Sequence, residues 1–235
     1  MGNDANGSNN FSVYNITAND QMLDSPTNNF ATFNPLVIRG TTPSTFSEGN
    51  LTAVGSSSYS ASTIEIPTSS KFYTEAYVNL AGTSTASVGI NYVSDIQTTT
   101  NTNRVLYSSS GAIRIDATTV TTGATYTTGD IIGVAVDTVS GTVEFFKNNV
   151  SQGTATKDGS DMAFYIIHAA SWKFTMNFGS DSSFAGNKTP QGNQDSNGIG
   201  YFYYQPPSGF LSLCTKSLPS VDVIPSEHFN TVLYT

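Results

Sequence analysis

The chain has 235 residues, and its nine lysines and arginines stand against seventeen aspartates and glutamates for a net charge of −8. This excludes a duplex or RNA backbone as partner, since phosphate binding needs clustered cations. Charged residues are only 11% of the chain, against roughly 25% in an ordinary globular protein, so hydroxyl and amide side chains coat the surface. The start, MGNDANGSNNFSVY, shows no signal-peptide pattern and no apolar run approaches the roughly 20 residues of a membrane span, so the expectation is a protein folded in a cytoplasm with no membrane insertion.

Period-two alternation dominates, and no helical period lasts three turns. Strands are expected at residues 11–16, 63–66, 71–80, 86–93, 104–108, 112–116, 131–137, 142–147, 162–169, 172–178 and 209–215, with turn signals between them. That pattern predicts an all-β, antiparallel two-sheet β-sandwich. Residues 1–40 read as an N-terminal strap, 41–216 as the sandwich with its C-terminal strand, and 217–235 as a tail or linker. The tract SDIQTTTNTNR reads as a loop, as does the polar stretch 181–200.

The hairpin GDIIGVAVDTVSGTVEFFKNN, residues 129–149, shows the face logic most clearly. Alternation puts Ile132, Val134, Val136, Val143 and Phe145 on one face, which is core. Asp137 and Glu144 fall on the other as diagonal neighbours, about 7–8 Å apart in backbone terms. Paired carboxylates at such spacing suit acid/base hydrolysis. Nothing in the surrounding sequence would desolvate either one, so they read as a solvated face.

At this hairpin the sequence resembles the SPRY domain. The strand GDIIGVAVD turning into TVEFFKNN, then MAFYIIHAASWKFTMNFGS closing on Asn177, Phe178 and Gly179, is similar to two consecutive strand pairs of that family, and KFYTEAYVNL and ASVGINYV fit upstream in order. The resemblance covers about residues 60 to 180 and implies a bent, concanavalin-like sandwich used for binding. Two further blocks, DSPTNNFATFNPL at 24–36 and YFYYQPPSGFLSLCTKSLP at 201–219, are similar to segments flanking such modules in tailed, especially marine, bacteriophages. The block HFNTVLYT resembles the beginning of another module, so the chain reads as a piece of a longer polypeptide or a shortened relative.

The residues that could carry chemistry are few. His168 lies in an apolar strand and His228 in the tail, and neither has companions at zinc-ligand spacing; His168 reads as a satisfied strand histidine. A serine-rich chain leaves a Ser-His-Asp triad open, but no G-x-S-x-G elbow or phosphate loop supports one. The single cysteine, Cys214, rules out a disulfide framework and reads as a buried thiol. Asn193, Asp195 and Asn197 before Gly198 resemble the first half of a calcium loop, yet Tyr204 stands where its bidentate acid belongs. No cofactor is therefore expected. Trp172 begins a core strand.

Aromatic residues are the stronger clue. In the run 201–204, YFYY, extended chain must point rings both ways. Tyr201 and Tyr203 are the candidate ligand contacts, with Asn193 and Asp195 as polar partners; alternatively the rings cement the C-terminal strand to the sandwich. Loops at 94–103, 138–141 and 181–200 are the candidate binding rim. Together these features predict a non-enzymatic binding module on a phage virion surface, in a tail fibre or capsid decoration, assembled in the host cytoplasm. Its expected partners are other virion proteins and a host-surface glycan or protein, and self-association is open to it. A purely structural virion subunit is the alternative, and a glycan-degrading enzyme using Asp137 and Glu144 a remoter one.

Overall fold

The computed structural model describes residue 25 and residues 28–98, 102–157 and 161–219. The strand expected at 11–16, His228 and the block HFNTVLYT lie outside the described residues.

The alternation folds as two antiparallel sheets. Numbered along the chain, β1 (Thr45–Ser47), β2 (Thr52–Gly55), β4 (Lys71–Leu80), β9 (Ile131–Asp137), β10 (Thr142–Lys147), β11 (Val150–Thr156) and β13 (Trp172–Asn177) make a seven-stranded sheet in the order β1-β2-β13-β4-β9-β10-β11. The second sheet holds β3 (Ser58–Ala61), β5 (Ser87–Tyr92), β6 (Arg104–Ser108), β7 (Ala112–Ile115), β8 (Thr118–Thr122) and β12 (Met162–His168) in the order β3-β12-β5-β6-β7-β8. A two-residue ladder joins β14 (Asn193–Gln194) to β15 (Tyr201–Phe202).

Between the sheets lies one main core. The predicted face of the 131–147 hairpin, Ile132, Val134, Val136, Val143 and Phe145, is at most 1% exposed. It meets Val88, Ile90, Val105, Tyr107, Phe164 and Ile166 from the other sheet. Each large side chain so buried contributes about 1.5–3 kcal/mol. Gln152 of β11 helps close the β8–β11 side by accepting from Ala124 N at 2.7 Å.

Several expectations need correction. Residues 63–66 form no strand, only a single bridge from Ile66 to Met162, while the strand lies earlier, in β3, where serines and an alanine flank Tyr59. Residues 209–215 make isolated bridges, Leu211 to Phe72 and Cys214 to Phe30, and then a 3-10 turn over Thr215–Ser217. Pro206 and Pro207 upstream cannot donate to a ladder. The expected 94–103 loop begins in α1 (Val93–Ile96), a single helical turn.

Two irregular segments cover the outer faces of the sheets. Residues 28–40 cross the six-stranded sheet, with Val37 packed on Ala61, Leu106 and Tyr165. Residues 180–213 fold over the seven-stranded sheet, and the tract 181–200, expected as a plain polar loop, has Asp181, Ser182, Ser183, Phe184 and Asp195 buried.

Candidate functional site

The tyrosine run is held on the outer face of the seven-stranded sheet by one carboxylate. Glu75 sits in the polar phase of β4 and is fully buried. It accepts from Tyr203 N and Tyr204 N at 2.8 Å each, from Asn177 Nδ2 at 3.2 Å and from Tyr73 Oη at 3.4 Å. Burial pushes its carboxyl up to about 7, although the amides of Tyr204 and Tyr203, then Asn177 and Tyr73, pull the other way. The Tyr73 hydroxyl is raised well above its ordinary value by its own burial and by the Glu75 charge.

Phe202 fills the space between, completely buried, with its ring 5.1 Å from Tyr73. Gly133 makes room for that ring: a Cβ there would stand 2.5 Å from Tyr73 Oη. Tyr201, Tyr203 and Tyr204 remain half-buried. Tyr203 and Tyr204 meet edge to face at 4.9 Å, and Tyr203 continues through Phe184 to Tyr77. The expected aromatic cluster therefore exists, and it is both cement and half-open surface.

The expected polar partners sit at different depths. Asn193 is half-buried and gives its Nδ2 to Tyr203 O at 2.7 Å. Asp195 is buried beneath the segment, with Oδ1 accepting from Ile199 N and Oδ2 from Ser212 N, both at 2.8 Å. Its oxygens are spent on backbone amides, and Asn193 directs a donor rather than an oxygen at its partner. Among the described residues no group of three His, Cys, Asp or Glu could hold a metal ion.

The two acids remain diagonal neighbours on one face of the hairpin, each tied to a nearby side chain. Asp137 forms an ion pair with Lys71 at 2.9 Å and accepts from Val139 N and Ser140 N in the turn. Partial burial would raise its carboxyl, but Lys71 and the turn amides outweigh that and hold it below the ordinary carboxylate value. Glu144 accepts from Ser151 Oγ at 2.6 Å. His168 is sealed in, as its strand context implies. Burial pushes its imidazole down to about 4, so it is neutral at pH 7, facing Ser60 Oγ at 3.0 Å and Trp172 O at 3.3 Å. Cys214 is likewise buried.

The sequence reading missed an open cup at one end of the sandwich, about 270 Å³ in volume. Thr83, Ser84 and Thr85 from the β4–β5 loop line it with Ser109, Ser110 and Thr127, over the edges of Tyr126 and Trp172. Trp172 is 3% exposed and gives its indole N–H to Ser84 O at 2.6 Å, so it braces the wall. Asp130, beside the cup, accepts from Thr127 N at 2.8 Å. The described parts of the expected rim, 94–98, 102–103 and 138–141, lie at the opposite end, where Lys71 pairs with Asp137 and Asn91 with Arg104.

Residues 72–181 match the family model described as SPRY domain. No curated protein matches the chain. Among solved structures, the SPRY domain of human HERC1 aligns with a TM-score of 0.52 at 20% identity, over 61% of this chain and 96% of that one. Stonustoxin gives 0.49 at 18% identity, over 63% of this chain and 27% of that one; the PSpry domain of TRIM65 gives 0.49 at 10%, over 62% and 89%. Residues 72–181 of the sandwich are thus similar to a SPRY domain, and the solved structures share its fold. The matched span leaves out both flanking blocks, 24–36 and 201–219.

Proposed function

We propose that this SPRY-like sandwich is a non-enzymatic binding module displayed on the particle of a tailed bacteriophage, in a tail fibre or capsid decoration, where it holds a host-surface protein or glycan. The observation that carries the binding role is the hydroxyl-lined cup at one end of the sandwich, with the half-open tyrosines as a second exposed aromatic surface. Its wall hydroxyls stand on loops fixed by a rigid sandwich, which is how recognition surfaces are commonly presented. The phage setting draws its support from the flanking blocks at 24–36 and 201–219 and from the low-charge, hydroxyl-rich surface. Tyr201 and Tyr203 supply ring contact and Asn193 a polar one, while Asp195 holds the segment from below.

Host-cell labelling by a multimerised form of the protein tests this, because single-site binding can be weak and avidity restores it. Labelling should exceed that of an unrelated sandwich. Replacing Tyr201 and Tyr203 together with alanine should reduce it at least about tenfold, roughly 1.4 kcal/mol. Thr83→Arg with Ser110→Arg, both at exposed positions, should do the same by filling the cup. Wild-type labelling no better than the control overturns the adhesive role.

A further inference from the structure

The cup at the end of the sandwich is lined by hydroxyls and by no charged side chain. Two of its hydroxyls are committed within the protein: Ser109 Oγ accepts from Ala86 N at 3.2 Å, and Ser110 Oγ meets Ser108 Oγ at 3.1 Å. Those of Thr83, Ser84, Thr85 and Thr127 make no hydrogen bond among the described residues, and all four residues are exposed. The walls that carry them are held in advance. Trp172 Nε1 donates to Ser84 O at 2.6 Å, Tyr126 Oη to Tyr107 O at 3.1 Å, and Ala81 N to Thr128 Oγ1 at 2.8 Å. Gly82 lies so close to the neighbouring turn that a Cβ would stand 2.0 Å from Ala170 O. Walls ordered beforehand reduce the entropy lost on binding.

On the binding role proposed for the cup rests a narrower one: we infer that it takes one neutral sugar ring at the end of a glycan chain. A hydroxyl both donates and accepts, so a wall of uncommitted hydroxyls complements a ligand whose own polar groups are hydroxyls, whichever way each proton points. The edges of Tyr126 and Trp172 give the C–H groups of such a ring a small apolar floor. An anionic sugar finds no cation on the lining and meets Asp130 at its border, where Lys147 is taken up by Asp130 at 3.2 Å and by Thr125 O at 2.8 Å. A peptide needs a sheet edge for its backbone or an apolar groove for its anchors, and the cup is neither. Its volume of about 270 Å³ lies just under the roughly 300–1,000 Å³ of pockets for larger small molecules, which suits a single ring.

Trp172 is the only tryptophan, so its fluorescence reports occupancy of the cup. Titration of the full chain with the methyl glycosides of glucose, galactose, mannose and N-acetylglucosamine should change it for at least one of them, with a dissociation constant of about 1–10 mM. Glucuronate and N-acetylneuraminate at matched ionic strength, and a Gly-Ser-Thr peptide, should leave it unchanged. Thr85→Val with Thr127→Val removes two hydroxyls at nearly constant shape and should raise that constant at least about fivefold, with thermal unfolding unmoved because both positions are exposed. Fluorescence that no neutral sugar changes overturns the inference, as does a folded Val variant that binds like the wild type. Cell labelling that survives periodate oxidation of the cell surface and is lost on protease treatment also overturns it, and leaves the adhesive role standing with a protein as ligand. Sugar binding without any cell labelling supports the assignment of the cup and fails the adhesive role instead.

Discussion

The β9–β10 hairpin and the covering segment 180–213 lie against the same sheet and are held by opposite means. The hairpin is fixed by apolar alternation, with Val134, Val136, Val143 and Phe145 all at most 1% exposed. The segment has little regular pairing beyond the two-residue ladder of β14 and β15. It is fastened instead by buried acceptors reading backbone amides: Glu75 holds Tyr203 and Tyr204, Asn177 Oδ1 holds Gly179 and Asp181, and Asp195 holds Ile199 and Ser212. A core face is non-directional and tolerates small shifts. A carboxylate clamp is directional, and its strength depends on protonation.

The largest effect should come from the hairpin. Phe145 is completely buried among Tyr107 and the other core side chains, and Phe145→Ala should cost about 3–5 kcal/mol of stability through lost transfer energy and the cavity left behind. Urea unfolding would measure it as a lower midpoint with an unchanged slope. A loss under about 1 kcal/mol would mean that the two sheets are not packed as described.

The segment's signature is pH dependence. Glu75 has an ordinary carboxyl value of 4.5 and is raised to about 7 in the fold. The folded state therefore holds the proton more tightly. That stabilisation is fully present below pH 4.5 and is lost as pH rises through about 7, by about 3 kcal/mol in total. Glu75→Gln, a permanently uncharged group, should flatten this decline between pH 4.5 and 7.5 in a series of denaturation curves. A wild type whose stability is level across that window, or rises with pH, contradicts the assignment.

These contrasts also explain what was legible. Strands β4, β6, β9 and β10 fall where alternation placed them, because β-branched and aromatic residues mark their inward phase. β8, TTVTT, and β11, VSQGTAT, were not anticipated, being polar edge strands that carry little apolar signal. The covering segment was read as a loop because its order comes from acceptors that look like surface residues in sequence. Glu75 is the sharpest case: in KFYTEAYVNL it occupies the outward phase and reads as solvated, until residues some 130 positions later bury it. The tyrosines were recognisable from composition. The cup was not, since its threonines and serines resemble those of any turn.

The smallest expected effect separates one carboxylate from another. Asp137, unlike Glu75, lies at the edge of the hairpin, ion-paired with a Lys71 side chain that is 41% exposed. Exposed pairs contribute little, typically under about 1 kcal/mol. Asn can still accept from Val139 N and Ser140 N, so Asp137→Asn removes the pair and keeps the turn. Because the folded carboxyl lies below its ordinary value of 3.8, its contribution is present above that pH and lost as the pH falls through the lower folded value, opposite in sign to Glu75. The variant should therefore lose at most about 1 kcal/mol at pH 7, show a shallower acid limb below pH 4, and leave the decline between 4.5 and 7 untouched. If Asp137→Asn altered that decline, the two carboxylates would be coupled, and the separation of an apolar hairpin from a proton-sensitive clamp would fail.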